Sequence, residues 1–219
     1  MNDILYLGTR RYSSWSLRGW LAVRLAGLSV PEEVLPLGGA LPGAIAAVSP
    51  SGLVPVLRHD GALIWDSLAI GEYCAERRPA LWPGDRAARA HARSLSAEMH
   101  SGFRALRVAM PMNCGRTPAP LQAAPDAELQ ADLARMQQLW RETRDHFGEG
   151  GPFLFGAFTL ADAAFAPVVS RFLSYAVPLE PVAARYRDAV RAHPLLEEWY
   201  AAAAAEPVEW LLSRYETVR

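Results

Sequence analysis

Residues 54–77 read VPVLRHDGALIWDSLAIGEYCAER, and this stretch decides the fold. Two short apolar runs, 54–57 and 62–65, predict strands, because residues 59–61 (HDG) between them are typical of a tight hairpin turn. Residues 67–77 then have helical spacing. The expected buried face of that helix consists of Leu68, Ile70, Tyr73 and Cys74. The stretch therefore predicts a β-hairpin followed by a helix.

Patterns of the same kind lie on its amino-terminal side. Ile4 to Leu7 is a short apolar run, and Val30 to Leu37 alternates enough to predict another strand. Between them, Ser14 to Ala26 has helical spacing, and Gly27 is a typical residue after a helix end. Residues 38–50 are rich in turn formers and leave room for one short helix. The order β-α-β-(α)-β-β-α predicts an α/β domain with a mixed four-stranded sheet.

On the carboxyl-terminal side the composition changes after the turn formers of residues 79–84. Beyond Asp85 the spacing is helical throughout, and a long helix is predicted from Asp85 to about Met110. Further helices are predicted over 126–147, 159–172, 181–191 and 194–205. We therefore expect two domains, an α/β domain over 1–80 and an all-α bundle over 86–219.

Composition limits the possible functions. The 219 residues carry a net charge of −1, with a sequence pI near 6.5, which gives no reason to expect a nucleic acid or a membrane as partner. All 22 basic residues are arginine, so Schiff-base chemistry on a lysine is excluded. Cys74 and Cys114 form neither a C-x-x-C pair nor part of a metal-ligand cluster, so no metal site is expected. Neither a signal peptide nor a membrane span is evident, and the expected location is the cytoplasm.

Four motifs occur in an order that resembles a known family. Residues 11–18 (RYSSWSLR) resemble the zeta-class signature S-S-C-S-W-R, with Trp15 in place of its cysteine. Residues 49–57 (SPSGLVPVL) and 65–70 (WDSLAI) resemble N-P-x-x-x-V-P-x-L and (E/Q/D)-S-x-A-I. Residues 159–162 (TLAD) resemble the T-x-A-D capping box of a helical domain. Together they resemble the soluble glutathione transferases, most closely zeta-class-like and bacterial Y-S-S-W-S-L-R members.

This resemblance implies a thioredoxin-like first domain, a helical second domain, and glutathione as co-substrate. It makes Ser13 the catalytic serine, which stabilises the glutathione thiolate at the start of the first helix, where the helix dipole adds to the effect. Ser14 is the substitute candidate, shared between helix capping and contact with the sulfur. From the residues alone, either serine could be only the helix N-cap.

The glutathione-binding residues implied by the resemblance are Val54, Pro55, Asp66 and Ser67. Pro55 is expected to be cis, so that the backbone of Val54 turns toward the cysteinyl part of glutathione. Asp66 would hold the γ-glutamyl ammonium, and Ser67 would hold its carboxylate at a helix start. Plain helix capping by Asp66 or Ser67 is the alternative. No residue is assigned to the glycyl carboxylate, because residues 38–52 contain neither lysine nor histidine.

The second-substrate pocket is expected between the domains. Its candidate residues are Tyr12, Trp15, Arg104, Arg107 and Met110. If residues 85–110 form one continuous helix, one of its faces would carry Met99, Phe103, Leu106 and Met110. An adjacent face would carry His100, Arg104 and Arg107. The alternative is that the first set is core and the second a solvated or dimer-facing stripe. If the arginines border the pocket, an acceptor with a carboxylate would suit it.

Three functions remain open at this stage, besides peroxidase activity with organic hydroperoxides, which needs only the thiolate. The first is a glutathione S-transferase, in which a serine-assisted thiolate attacks a small electrophile. The second is a glutathione-dependent cis-trans isomerase of the maleylacetoacetate type, and the third is a non-catalytic glutathione- or ligand-binding protein. A homodimer is expected from the resemblance.

Overall fold

The computed structural model describes residues 2–38 and 43–218. The first part of the chain forms a sheet with the strand order β2-β1-β3-β4. The strands are β1 (Ile4–Gly8), β2 (Glu32–Leu35), β3 (Val56–His59) and β4 (Ala62–Trp65). β1 pairs in parallel with β2 and antiparallel with β3, and β3 pairs antiparallel with β4. The predicted mixed four-stranded sheet is confirmed.

Helices cover both faces of this sheet. They are α1 (Ser14–Ala26), α2 (Ala44–Val48) and α3 (Ser67–Arg77). Because side chains alternate along a strand, Leu5 and Leu7 enter the main core with α1 and α3, whereas Tyr6 joins a smaller cluster beside α2. The buried face of α3 differs from the prediction: Leu68 is exposed and Tyr73 is half-buried. The buried positions, in helical register, are Ser67, Ile70, Gly71, Cys74 and Ala75.

The turn before β3 lies directly against α1. The Val54–Pro55 peptide bond is cis, as predicted. A Cβ atom at Gly19 would come within 2.7 Å of the Pro55 Cγ atom, so only glycine lets α1 approach this turn so closely. The contact fixes the position of the Val54 backbone relative to the start of α1.

The second part of the chain is helical. A short 3-10 turn (Pro79–Leu81) leads into α4 (Arg86–Ser101) and α5 (Arg104–Ala109), followed by α6 (Ala127–Phe147), α7 (Leu160–Ser174), α8 (Pro181–Arg191) and α9 (Pro194–Ala204). A second 3-10 turn (Val208–Trp210) and α10 (Ser213–Glu216) follow. The predicted α/β part followed by a helical part is confirmed, and the exact division into 1–80 and 86–219 stays a prediction.

The single long helix predicted over residues 85–110 is wrong. The chain leaves helical geometry at Gly102 and Phe103, where Phe103 adopts a left-handed φ of 60°. Arg107 stabilises this break by donating hydrogen bonds to the carbonyls of Met99, His100 and Gly102 at the end of α4. The predicted shared faces of residues 99–110 are therefore interrupted, although Met99, Phe103, Leu106 and Met110 are all buried.

Helix α7 forms the centre of the helical part and packs against both α1 and α4. Its start carries the predicted capping box of Thr159 and Asp162. The contact between α1 and α7 joins the helical part to the α/β part. Within the described ranges, no helix combines the length and apolar character needed to cross a bilayer.

Candidate active site

Ser13 caps the first helix. Its Oγ atom accepts a hydrogen bond from the Ser16 amide (3.2 Å) and donates one to the Ser16 Oγ atom (2.8 Å). The Ser16 hydroxyl in turn accepts from the Gly8 amide at 2.8 Å, which ties the end of β1 to the start of α1. The hydroxyl proton of Ser13 is therefore already engaged within the protein.

Ser14 is the first helical residue and has a different environment. The residue is buried, yet its hydroxyl makes no hydrogen bond with any residue of the described chain, and the residue lines a cleft. The expectation that Ser14 shares in capping is wrong, because Ser13 provides the cap. At the amino terminus of α1, the Ser14 hydroxyl lies in the positive field of the helix and is free to donate to an anion.

Both serines line a cleft between the two parts of the molecule, which we call the serine cleft. It encloses about 300 Å³. Its lining residues are Tyr12, Ser13, Ser14, Trp15, Leu37, Ile45, Gly52, Leu53, Val54, Arg107, Pro111, Met112, Arg171 and Tyr215. This volume is at the lower end of what small-molecule sites occupy. The described lining contains two guanidinium groups and no carboxylate.

A second cleft adjoins the first and shares Trp15, Leu53 and Val54 with it. We call it the Asp66 cleft, which encloses about 610 Å³. Its remaining lining residues are Ser51, Pro55, Trp65, Asp66, Ser67, His100 and Ser101. The two clefts together form one groove that runs from the start of α1 to the start of α3.

Asp66 and Ser67 occupy the start of α3. Asp66 is the N-cap: its Oδ1 atom accepts from the Leu68 amide at 2.7 Å, and its Oδ2 atom lies 3.4 Å from the His100 Nε2 atom. The Ser67 Oγ atom is buried and has no hydrogen-bond partner among the described residues. The predicted capping role therefore belongs to Asp66, while the Ser67 hydroxyl remains available to a ligand or a water molecule.

Arg18 lies beneath Ser67 in a small cavity of about 30 Å³. Its Nε atom donates to the Ala164 carbonyl at 2.8 Å, but both of its Nη atoms are enclosed without a partner in the described protein. Burial, with repulsion from Arg107 and Arg171, lowers the pKa of Arg18. A polar cavity of this size can hold an ordered water molecule.

Trp15 lies against two arginine side chains. The guanidinium groups of Arg18 and Arg107 each lie 4.7 Å from the centre of its ring, within range of a cation–π interaction. The ring also contacts His100 at 5.0 Å between centroids. Trp15 thus replaces the cysteine of the zeta-class signature with an aromatic wall that both clefts share.

The carboxyl-terminal segment closes one side of the serine cleft. The Glu216 carboxylate accepts hydrogen bonds from the Tyr12 hydroxyl, from Arg11 Nε (3.0 Å) and from Asn113 Nδ2 (3.0 Å). The adjacent Tyr215 lines the cleft, and its ring centre is 5.5 Å from that of Tyr12. Sequence reasoning missed this closure, because no local pattern links residues that are about 200 positions apart.

The predicted second-substrate residues do not all reach a cleft. Tyr12, Trp15 and Arg107 line the serine cleft. Arg104 is exposed on α5 and lines neither cleft, and Met110 is buried behind the lining, where its carbonyl accepts from Arg171 Nε at 2.8 Å. Arg171, which lies on α7, is the second cation in the described lining of the serine cleft.

Neither cysteine offers a competing nucleophile at this site. Burial raises the pKa of the Cys74 thiol to about 12 and that of Cys114 to about 11. The described part of the chain contains no group of three or more His, Cys, Asp or Glu side chains arranged to hold a metal ion.

Comparison with known proteins identifies the family. Residues 12–77 match the family model "Glutathione S-transferase, N-terminal domain", and residues 126–202 match "Glutathione S-transferase, C-terminal domain". The chain belongs to the glutathione S-transferase family. The first match contains both serines, the cis-proline turn and the start of α3, and the second contains α7 with its capping box.

Individual relatives are more distant. A "Probable maleylacetoacetate isomerase" of Caenorhabditis elegans is 34% identical over 105 residues, which are 47% of this chain and about half (49%) of that protein. "Protein IN2-1" of Zea mays is 28% identical over 192 residues, covering 86% of this chain and 71% of that protein.

Solved structures show the same fold. A glutathione transferase homolog from Burkholderia gl BGR1, with bound glutathione, superposes with a TM-score of 0.70 at 23% identity, covering 94% of this chain and all of that one. A bacterial zeta-class maleyl pyruvate isomerase superposes with the same TM-score at 24% identity, covering 94% of this chain and 99% of that one.

Proposed function

We propose that the protein is a glutathione transferase, in which a serine hydroxyl stabilises the glutathione thiolate for attack on a small electrophile. The carrying observation is the Ser14 hydroxyl: it lies at a helix start, lines a cleft, has no partner in the described chain, and faces a lining with two cations and no carboxylate. A hydrogen-bond donor in a positive field favours the ionised form of a nearby thiol.

We propose binding positions in the groove for each part of glutathione except the glycyl end. We propose that the γ-glutamyl ammonium binds Asp66 and that its carboxylate binds the Ser67 hydroxyl and the free amides at the start of α3. The cysteinyl backbone would pair with Val54 beside the cis Pro55, which places the sulfur in the serine cleft. Support comes from the unpartnered Ser67 hydroxyl and from Val54 lining both clefts.

Two serines could hold the sulfur. The resemblance favours Ser13, whereas the hydrogen bonds favour Ser14, because Ser13 would have to release Ser16 before it could donate to a thiolate. We therefore propose Ser14 as the sulfur ligand and Ser13 as the alternative. Lowering the thiol pKa by one to two units corresponds to about 1.4–3 kcal/mol.

The test is a titration of bound glutathione by the ultraviolet absorbance of its thiolate. In the wild type we expect a thiol pKa well below that of free glutathione, and we expect Ser14→Ala to raise it by about one unit or more. Ser13→Ala is the matched control, since it removes the same atom one residue earlier. Loss of the shift in Ser13→Ala alone would transfer the role to Ser13.

The same titration tests the non-catalytic alternative. Calorimetric binding of glutathione with an unshifted thiol pKa would favour a glutathione-binding protein without catalysis. Absence of binding at millimolar glutathione would contradict the proposed function altogether.

An isomerase of the maleylacetoacetate type is a second candidate. Two observations favour it: the two guanidinium groups in the serine cleft, and the similarity to the probable maleylacetoacetate isomerase of Caenorhabditis elegans. In such a reaction the thiolate would add across a double bond and be expelled after rotation. Turnover of maleylacetoacetate or maleylpyruvate, without net consumption of glutathione, would establish it. A homodimer and a cytoplasmic location remain part of the proposal.

A further inference from the structure

The small cavity at Arg18 lies where α1, α3, α4 and α7 meet, and each of these helices contributes to its lining. We call it the Arg18 cavity. It encloses about 30 Å³, which is enough for one small ion or water molecule. The polar side chains of its lining are those of Arg18, Ser67, Trp82, Ser96 and His100, and the described lining contains no carboxylate. The α/β part and the helical part therefore enclose a cavity with a cation in its wall.

The buried groups of this lining that lack a partner can all donate hydrogen bonds. They are both Nη atoms of Arg18, the Nε1 atom of Trp82 and the hydroxyl of Ser67, and each is enclosed without a partner in the described protein. The nitrogen atoms of Arg18 and Trp82 can only donate, whereas the Ser67 hydroxyl can donate or accept. Because buried polar groups normally find partners, four donor atoms on residues that line one cavity indicate an acceptor inside it.

The positive charge of Arg18 is only partly balanced by the described protein. Arg18 exposes 6% of its surface. Burial, with repulsion from Arg107 and Arg171, lowers the pKa of Arg18, and the attraction of Asp66 is the smallest of these four effects. Asp66 lines the adjoining Asp66 cleft instead of the Arg18 cavity, and its carboxylate caps α3. Since a buried cation is costly unless it is paired, the guest that best suits this cavity carries a negative charge.

A monatomic anion fits the Arg18 cavity better than the other small guests do. A water molecule brings two protons of its own, which need acceptors, into a cavity whose unpartnered groups are donors, and it leaves the charge of Arg18 unbalanced. A phosphate or sulfate ion has five heavy atoms and is too large for about 30 Å³. A halide ion such as chloride accepts hydrogen bonds from any direction, brings no proton and balances the charge.

We propose that the Arg18 cavity binds one halide ion, held by the Arg18 guanidinium, the Ser67 hydroxyl and the indole nitrogen of Trp82. These side chains come from α1, from the start of α3 and from the segment that leads into α4. The ion therefore connects the α/β part to the helical part and stabilises the folded protein. The inference does not rest on the proposed function, because the site is complete without glutathione.

The γ-glutamyl carboxylate of glutathione is a second possible source of negative charge, because the proposed function places it at Ser67. The two sources differ in the condition under which they act. A halide from solution stabilises the free protein, whereas the carboxylate acts only when glutathione binds. The size of the cavity favours the halide, since a carboxylate group has three heavy atoms and is attached to the rest of the tripeptide.

The experiment is thermal unfolding of the full chain without glutathione. Sodium chloride replaces sodium gluconate at constant ionic strength, because gluconate is too large for the cavity. Between about 1 and about 200 mM chloride, we expect the midpoint of unfolding to rise by about 3 °C or more, as for any ligand that binds only the folded state. Arg18→Met keeps the length of the side chain without its charge, and its midpoint should not depend on chloride.

Further variants and a direct measurement complete the test. Arg185→Met is the matched control, because Arg185 is an exposed arginine of the helical part; its midpoint should respond to chloride as the wild type does. If Arg18→Met fails to fold, Trp82→Phe removes one N–H donor and should weaken chloride binding about tenfold. The anomalous scattering of bromide, in crystals grown with sodium bromide, should give a peak in contact with the Arg18 Nη atoms.

The outcomes separate the halide site from its alternatives. A chloride-dependent midpoint that is kept in Arg185→Met and lost in Arg18→Met supports the site. Equal midpoints of the wild type in chloride and gluconate overturn it, and so does a dependence on chloride that persists in Arg18→Met. Loss of glutathione affinity in Arg18→Met, with no effect of chloride on the wild type, also overturns it and assigns the cavity to the γ-glutamyl carboxylate. Failure of the wild type to bind glutathione contradicts the proposed function but leaves a chloride-dependent midpoint as support for the halide site.

Discussion

Two helix starts in this molecule carry similar residues but differ in how fully their polar groups are paired. At α7, Asp162 Oδ1 accepts from the Leu154 amide and the Tyr186 hydroxyl, both at 3.1 Å. Its Oδ2 atom accepts from the amide (2.8 Å) and the hydroxyl (3.0 Å) of Thr159. At α1, Ser13 completes a cap, but the Ser14 hydroxyl beside it has no partner among the described residues.

The difference separates a structural helix start from a functional one. Buried polar groups normally find partners within the protein, so an open hydroxyl in a partly enclosed cleft needs an explanation. At α7, every acceptor is used, and the motif stabilises the fold. At α1, an unpaired donor and two nearby guanidiniums leave a positive site that a ligand can complete.

The largest change in the free energy of unfolding is expected when the carboxylate at the start of α7 is removed. Asp162→Ala removes the acceptor of two hydroxyls, those of Thr159 and Tyr186, and of two amides, and each buried group left unpaired costs about 1–3 kcal/mol. We expect the free energy of unfolding to fall by about 3–5 kcal/mol, measured by urea denaturation with circular dichroism. Asp145→Ala, at an exposed position of α6, should change it by less than about 0.5 kcal/mol. Equal effects of the two substitutions would contradict the structural role of Asp162.

Much of this fold could be predicted because its signals are local. The hairpin of residues 59–61, the Gly27 stop of α1 and the T-x-A-D box each depend on neighbours within a few positions. The prediction of one long helix over 85–110 failed because Phe103 adopts a left-handed φ, and because Arg107 donates to carbonyls five to eight positions earlier, at the end of α4. Helical spacing alone cannot reveal such a break.

The candidate site was less predictable than the fold. Ser13, Ser14, Val54 and Asp66 could be named because they lie in short motifs. Arg171 could not be distinguished from the other arginines of the chain, because its role depends on α7 meeting α5 across the cleft. Tyr215 could not be found either, since its place depends on how the last turn of chain folds back onto Tyr12.

The second test uses pH and addresses the same carboxylate. Burial raises the pKa of Asp162 from 3.8 to about 6, against four hydrogen bonds that lower it. Between pH 3.8 and about 6, Asp162 holds a proton in the folded protein but not in the unfolded chain. This proton binding stabilises the folded protein at low pH, and its contribution to the free energy of unfolding is lost as the pH rises through about 6.

This contribution can be isolated with Asp162→Asn, which does not titrate at that position. As the pH falls from 8 to 5, the free energy of unfolding of the wild type should rise by about 1.4 kcal/mol relative to the variant, because other groups cancel in the difference. Denaturation curves at both pH values provide the measurement. A difference that is constant with pH would mean that the four hydrogen bonds balance the effect of burial on the pKa of Asp162, and a change in the opposite direction would mean that they outweigh it.

The smallest change in the free energy of unfolding is expected from the removal of a helix cap, the feature that the starts of α1 and α7 share. Ser13→Ala removes the acceptor for the Ser16 amide and should lower the free energy of unfolding by about 1 kcal/mol, the usual value of a helix cap. Because Ser14 is left intact, the pKa of the thiol of bound glutathione should stay at its wild-type value. Urea denaturation and the thiolate titration on the same variant measure both quantities. The opposite result would be an unchanged free energy of unfolding together with loss of the thiol pKa shift. It would mean that the Ser13 hydroxyl leaves Ser16 when glutathione binds, and that Ser13 rather than Ser14 is the first functional residue at the start of α1.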